Sequence, residues 1–124
     1  MRRRGPYLRW KLAHPRGRFR DWYVEHVERR IEDGEVHATL GARSVERERF
    51  HETGALMFER LRREGLNSPT LRVVDYGCGS LRVGRHVIEY LAPRRYVGLD
   101  LTDRFYRDGL STMLPELAAE KAPE

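Results

Sequence analysis

Leu71-Arg72-Val73-Val74-Asp75-Tyr76-Gly77-Cys78-Gly79 is the stretch whose reading decides the fold. Its first six residues form a short, β-branched run closed by glycines, the pattern of a buried parallel strand. A helix is predicted to follow from about Ser80 to Leu91, with Leu81, Val87, Ile88 and Leu91 facing the sheet and Pro93 ending it. Arg95-Tyr96-Val97-Gly98-Leu99-Asp100 reads as a second strand. Thr102 or Asp103 can then cap a third helix that carries Phe105, Leu110, Met113, Leu114 and Leu117, with Pro115 as its break. Strand, helix, strand, helix in this order makes one βαβ unit with its next helix, and the expected class is α/β.

Upstream, two amphipathic helices are expected. The first spans about 21–33, with Asp21 as N-cap or first-turn acid, Val24, Val27 and Ile31 on one face, and Gly34 as its stop. The second runs from near Ser44 to about Glu64 with the stripe Phe50, Gly54, Met57, Phe58 and Leu61, and Gly65 closes it. Residues 34–43 read as a connector. Three segments result: a basic arm over 1–20, a helical segment over 21–68, and an α/β portion over 69–124.

The arm holds Arg2, Arg3, Arg4, Arg9, Lys11, Arg16, Arg18 and Arg20 and no acid, a charge of +8, while the remainder of the chain carries −3. Pro6, Pro15 and Gly17 argue against a long helix there, and termini are disordered unless something ties them down, so the arm is expected to be unstructured. With Tyr7, Trp10 and Phe19 it can also touch nucleic acid or another anionic surface. Arginines outnumber lysines 22 to 2 over the whole chain, so a solvated terminus rich in arginine is the simpler expectation. No apolar run approaches the ~20 residues of a membrane span, and no apolar segment follows the basic start as a secretory signal requires. Cys78 is the only cysteine, which excludes an intramolecular disulfide and points to a cytoplasmic setting. The histidines show no metal-ligand spacing, and no metal site is expected.

In an open parallel sheet, ligands bind beyond the carboxyl ends of the strands. Gly77-Cys78-Gly79 lies there, at the end of the first strand, where glycines permit a tight turn and close approach of a ligand. The N–H groups at the following helix start favour a negative group. Asp100 ends the second strand, and a carboxylate there can accept hydrogen bonds from both ribose hydroxyls of an adenosine-containing ligand. A dinucleotide fingerprint needs a third glycine or alanine, and Arg82 holds that position. Each residue also has a plain structural reading. Asp75 can pair with Arg82 or Arg85, Asp100 can cap the third helix, and Cys78 can be a small packed hydrophobe.

The segment Val73-Val74-Asp75-Tyr76-Gly77-Cys78-Gly79-Ser80-Leu81-Arg82-Val83-Gly84-Arg85 resembles the first motif of class I S-adenosylmethionine-dependent methyltransferases, and Tyr96-Val97-Gly98-Leu99-Asp100 resembles their second. The resemblance covers about residues 71–105. It implies a Rossmann-like methyltransferase fold, present as its N-terminal portion only: two helices, then β-α-β-α. It implies S-adenosyl-L-methionine as cofactor, with Asp75, Gly77, Cys78 and Gly79 facing the methionine part, Asp100 on the ribose and Leu101 near the adenine. Leu81 departs from the family pattern, since many members have a third motif glycine there. The family's sheet has more strands than the two read here, and no catalytic residue or methyl acceptor can be named. A truncated product, a fragment, or a half that needs a partner chain is therefore expected. The competing functions are a non-enzymatic module whose arm binds nucleic acid or protein, and a dinucleotide oxidoreductase.

Overall fold

The computed structural model describes residues 5–35, 37–40 and 48–124. The architecture is mixed α/β, mostly helical, with a two-stranded parallel sheet. In chain order the elements are α1 (Pro6–Ala13), α2 (Phe19–Glu32), a 3₁₀ turn (Ala38–Leu40), α3 (Phe50–Glu64), β1 (Val73–Tyr76), α4 (Gly84–Tyr90), β2 (Tyr96–Leu99), α5 (Asp103–Leu110) and α6 (Pro115–Lys121). No helix among the described residues is long and apolar enough to cross a membrane.

Residues 5–20 correct the expectation of an unstructured arm. Pro6 occupies the first turn of α1, where its missing N–H costs nothing. The chain then turns back through Pro15 and Gly17. Lys11 Nζ fastens that turn by donating to the carbonyls of Pro15 at 2.8 Å and Gly17 at 2.6 Å. Trp10 lies over Gly17 so closely that a Cβ there would meet its ring at 2.3 Å, and its Nε1 donates to Glu25 at 2.8 Å. Rings at 7, 10, 19 and 22 tie α1 to α2, although no residue of α1 is buried. Arg2, Arg3 and Arg4 lie outside the described residues.

Asp21 acts as the first-turn acid of α2 by accepting from the Arg18 N–H at 2.9 Å. Gly34 (φ +85°) follows the helix end. The expected start of the next helix near Ser44 lies outside the described residues. Its described part, α3, ends at Gly65 as its pattern predicts. The helix expected from Ser80 begins only at Gly84, because Leu81 has a left-handed backbone (φ +63°) that a right-handed helix cannot contain. Thr102 caps α5, accepting from the Arg104 N–H at 3.3 Å. The third expected helix is two: residues 111–114 turn the chain, and Pro115 opens α6 rather than breaking a helix. Proline fits the first helical turn and clashes in the interior.

β1 and β2 run parallel, with Val73 opposite Tyr96 and Tyr76 opposite Leu99. On the far side of β2, the Glu124 N–H donates to the Tyr96 carbonyl at 3.0 Å and Gly98 returns a bond to the Glu124 carbonyl at 2.7 Å. The far edge of β1 has no strand among the described residues. The expectation that β1 is a buried strand holds for one face only. Val73 and Asp75 are half-buried, but Val74 is 59% and Tyr76 90% exposed, and Leu99 beside Tyr76 is bare as well. The main core lies on the covered side, formed by Leu81, Val87, Ile88, Leu91, Tyr96 and Met113. A second cluster of Val27, Ala38 and Phe105 joins α2, the 3₁₀ turn and α5.

Candidate functional site

The loop after β1 is built from three left-handed residues, Gly77 (φ +79°), Gly79 (φ +52°) and Leu81 (φ +63°). Glycine adopts this conformation at no steric cost, whereas leucine is strained by roughly 1–2 kcal/mol. Leu81 is held there by its side chain, which is 1% exposed in the main core. The left-handed backbone at residue 81 is thus kept by a buried leucine. The N–H groups of Gly77 and Cys78 both reach the Leu99 carbonyl, at 2.7 and 3.2 Å, and weld the loop to the end of β2.

Asp100 closes the same end. One carboxylate oxygen accepts from the Gly79 N–H at 2.7 Å, across 21 residues, and the other from the Leu101 N–H at 2.7 Å. The two strand ends are therefore joined through the acid and the glycine loop. Each carboxylate oxygen has a second acceptor site left over for a ligand hydroxyl.

Asp75 sits deeper, and its carboxylate accepts from the Tyr96 hydroxyl at 2.6 Å. Burial and that neighbouring carboxylate push the Tyr96 phenol well above its ordinary range, so it stays a donor. Burial first, then the charges of Asp100 and Asp75, raise the Cys78 thiol to about 11. A thiol so placed is protonated at neutral pH and is no nucleophile. Cys78 is a packed small hydrophobe that also touches the cavity.

Asp75, Gly77, Cys78, Gly79 and Asp100 line one cavity of about 350 Å³ at the carboxyl ends of the strands. Leu101 does not join them. It is 52% exposed and borders a smaller hollow of about 180 Å³ with Tyr76 and Leu99. The remaining wall comes from Ser80, Arg82 and Val83 after the loop, from Met57 of α3 and Phe105 of α5, whose sequence pattern marked them only as helix-face residues, and from Tyr23 of α2 and Thr39 and Leu40 of the connector, which it did not single out. Composition alone gave the connector no periodicity, so nothing in it signalled a wall.

Hydrogen bonds hold that connector against the loop. Tyr23 donates to the Thr39 carbonyl at 3.2 Å and Arg30 to the Ala38 carbonyl at 3.0 Å. The Thr39 hydroxyl donates to Ser80 Oγ at 3.1 Å, and Ser80 Oγ lies 3.1 Å from His37 Nδ1. Burial, with Arg85 and His51 nearby, lowers the His37 pKa to about 4, so the ring is neutral at pH 7. The backbone N–H groups of His37 and Ala38 hold the carboxylate of Asp108 from α5. Burial nonetheless raises the Asp108 pKa, and its Oδ2 has no partner among the described residues.

Helices α3 and α5 approach the backbone that follows β1 at glycines. A Cβ at Gly54 of α3 would lie 2.0 Å from the Arg82 carbonyl oxygen, and one at Gly109 of α5 would lie 2.6 Å from the Ser80 carbonyl. At Gly84 it would meet the Tyr96 hydroxyl at 2.3 Å, so Tyr96 can approach Asp75 only because residue 84 has no side chain. The outcome is a polar-floored pocket lined by one cation (Arg82) and two acids, with free acceptor capacity on Asp100. Among the described residues, no group of His, Cys, Asp and Glu side chains is arranged to hold a metal ion. No protein-family model matches the chain, and comparison with curated proteins and with solved structures finds no match.

Proposed function

We propose that this chain is the S-adenosylmethionine-binding portion of a class I methyltransferase, with a Rossmann-like sheet of which β1 and β2 are two strands. The observation that carries the proposal is the 2.7 Å bond from the Gly79 N–H to Asp100, which brings the two family-like motifs together on one cavity. A volume of about 350 Å³ falls within the ~300–1,000 Å³ of small-ligand sites. In this proposal Asp100 accepts the ribose hydroxyls, while Arg82 receives the carboxylate of the methionine part. The bound cofactor supplies an activated methyl group, and the chain's residues hold and orient it. A phosphate-bearing dinucleotide is disfavoured because the third position of its fingerprint is Arg82 rather than glycine or alanine. We place the strand that completes the sheet, contributed by a partner, on the free edge of β1. No residue of this chain is assigned as a catalytic base.

Calorimetry with S-adenosylhomocysteine tests the proposal. Asp100→Ala removes hydrogen bonds to a charged acceptor, worth about 1.5–3 kcal/mol, and is expected to weaken binding about 10- to 100-fold. Equal affinity of the two proteins, or protection from heat by NAD and not by S-adenosylhomocysteine, would refute it.

A further inference from the structure

Tyr23 belongs to two features at once. It lines the cavity, and it is the inner end of a series of rings running out along α2 and α1. Phe19 stacks on Tyr23 with centroids 6.1 Å apart and planes at 21°. Tyr7 meets Phe19 edge-on at 5.1 Å, Trp10 lies along Tyr7 at 6.4 Å and 22°, and His14 stacks on Trp10 at 4.5 Å. These rings are not an interior. Phe19 is 56% exposed, and Tyr7 and Trp10 are only half-buried.

The charge of residues 5–20 has one sign. Arg9, Arg16, Arg18 and Arg20 are exposed, and Arg9 and Arg16 form no ion pair among the described residues. The nearby acids of α2 are already engaged. Asp21 holds the Arg18 N–H and lies 3.7 Å from Arg20, and Glu25 holds Trp10 Nε1 and Arg29. Partly exposed rings beside arginines without ion pairs are the two parts of a single-strand platform: bases stack on exposed ring surface while phosphates meet the cations. A cluster that only held α1 to α2 would need the rings but not the arginines.

We propose that the α1–α2 surface binds a single-stranded nucleic acid, which runs along the rings towards Tyr23 at the cavity. This binding does not rest on the methyl-donor proposal above. Binding is sequence-tolerant and falls with salt, with a log–log slope of about −0.7 for each phosphate neutralised.

The test uses the full chain, a fluorescent oligouridylate of about 16 nucleotides and anisotropy at about 50 mM and about 200 mM salt. The paired change Arg9→Glu and Arg16→Glu, at exposed positions, is expected to weaken oligouridylate binding by at least about tenfold. Phe19→Leu keeps the bulk, removes the stacking plane, and should cost about fivefold. Affinity for S-adenosylhomocysteine should be the same in both variants and the parent. Equal oligouridylate binding by parent and charge-reversed chain overturns the proposal. Capture by equimolar phosphatidylcholine–phosphatidylserine vesicles without oligouridylate binding also overturns it, since Leu8 and Leu12 would then face a bilayer. Arginine-dependent oligouridylate binding without S-adenosylhomocysteine binding upholds the surface and removes the methyl-donor reading. S-adenosylhomocysteine binding without oligouridylate binding does the reverse.

Discussion

Replacing Gly54 by alanine sets two opposed effects against each other. In the middle of a solvent-facing helix, alanine is favoured over glycine by about 1 kcal/mol. In α3, however, the added Cβ would lie 2.0 Å from the Arg82 carbonyl oxygen, 1.4 Å short of the 3.4 Å at which ordinary contact begins. The obstructing atom is backbone in a loop welded to β2, so no side chain can rotate out of the way. Overpacking of this kind costs ~1–3 kcal/mol, and so large a shortfall belongs at the upper end. The net expectation is a loss of about 2 kcal/mol, or about 8 °C in Tm for a chain of this length. Thermal and urea unfolding followed by circular dichroism measure it, with Gly5→Ala as the control because nothing lies within 4 Å of that position. The same variant should bind S-adenosylhomocysteine more weakly, since Met57 and Arg82, on either side of the contact, both line the cavity. A Gly54→Ala protein as stable as the parent would show that α3 does not seat on the loop at this point.

Two further outcomes follow from titrating groups. Cys78, buried and with its thiol raised to about 11, should resist iodoacetamide at neutral pH in the folded chain and react readily once urea unfolds it; equal rates in the two states would contradict this placement. His37 is held near pKa 4 in the fold and near 6.5 when unfolded. The unfolded chain therefore binds a proton first, so stability is intact above about pH 6.5 and erodes as pH falls towards 4. His37→Gln should flatten the fall in urea midpoint across this window, and an unchanged profile would refute it.

The part of the molecule legible from sequence is the part governed by local rules. β1, its glycines, β2 and Asp100 follow from β-branching, turn chemistry and strand-end position, and each lies within a residue or two of its expected place. Less legible was everything set by side-chain meetings across long separations. The arm folds because Trp10 finds Gly17 and Glu25, and the connector becomes a wall because Ser80 and Asp108 hold it. Tyr96 reads as a strand aromatic, and only the absence of a side chain at Gly84 lets it reach Asp75. Val74 and Tyr76 carry the composition of a buried strand, yet what covers such a face is not written in the strand itself.

Leu81 places loop shape and core packing on a single residue. Its backbone angle belongs to the rim of the pocket, while its side chain belongs to the interior. For laboratory evolution, this makes pocket geometry and thermal robustness correlated traits at that site: a library selected for one will drift in the other. A glycine at 81 would separate the two traits, freeing the loop to change while giving up the anchor that now holds it.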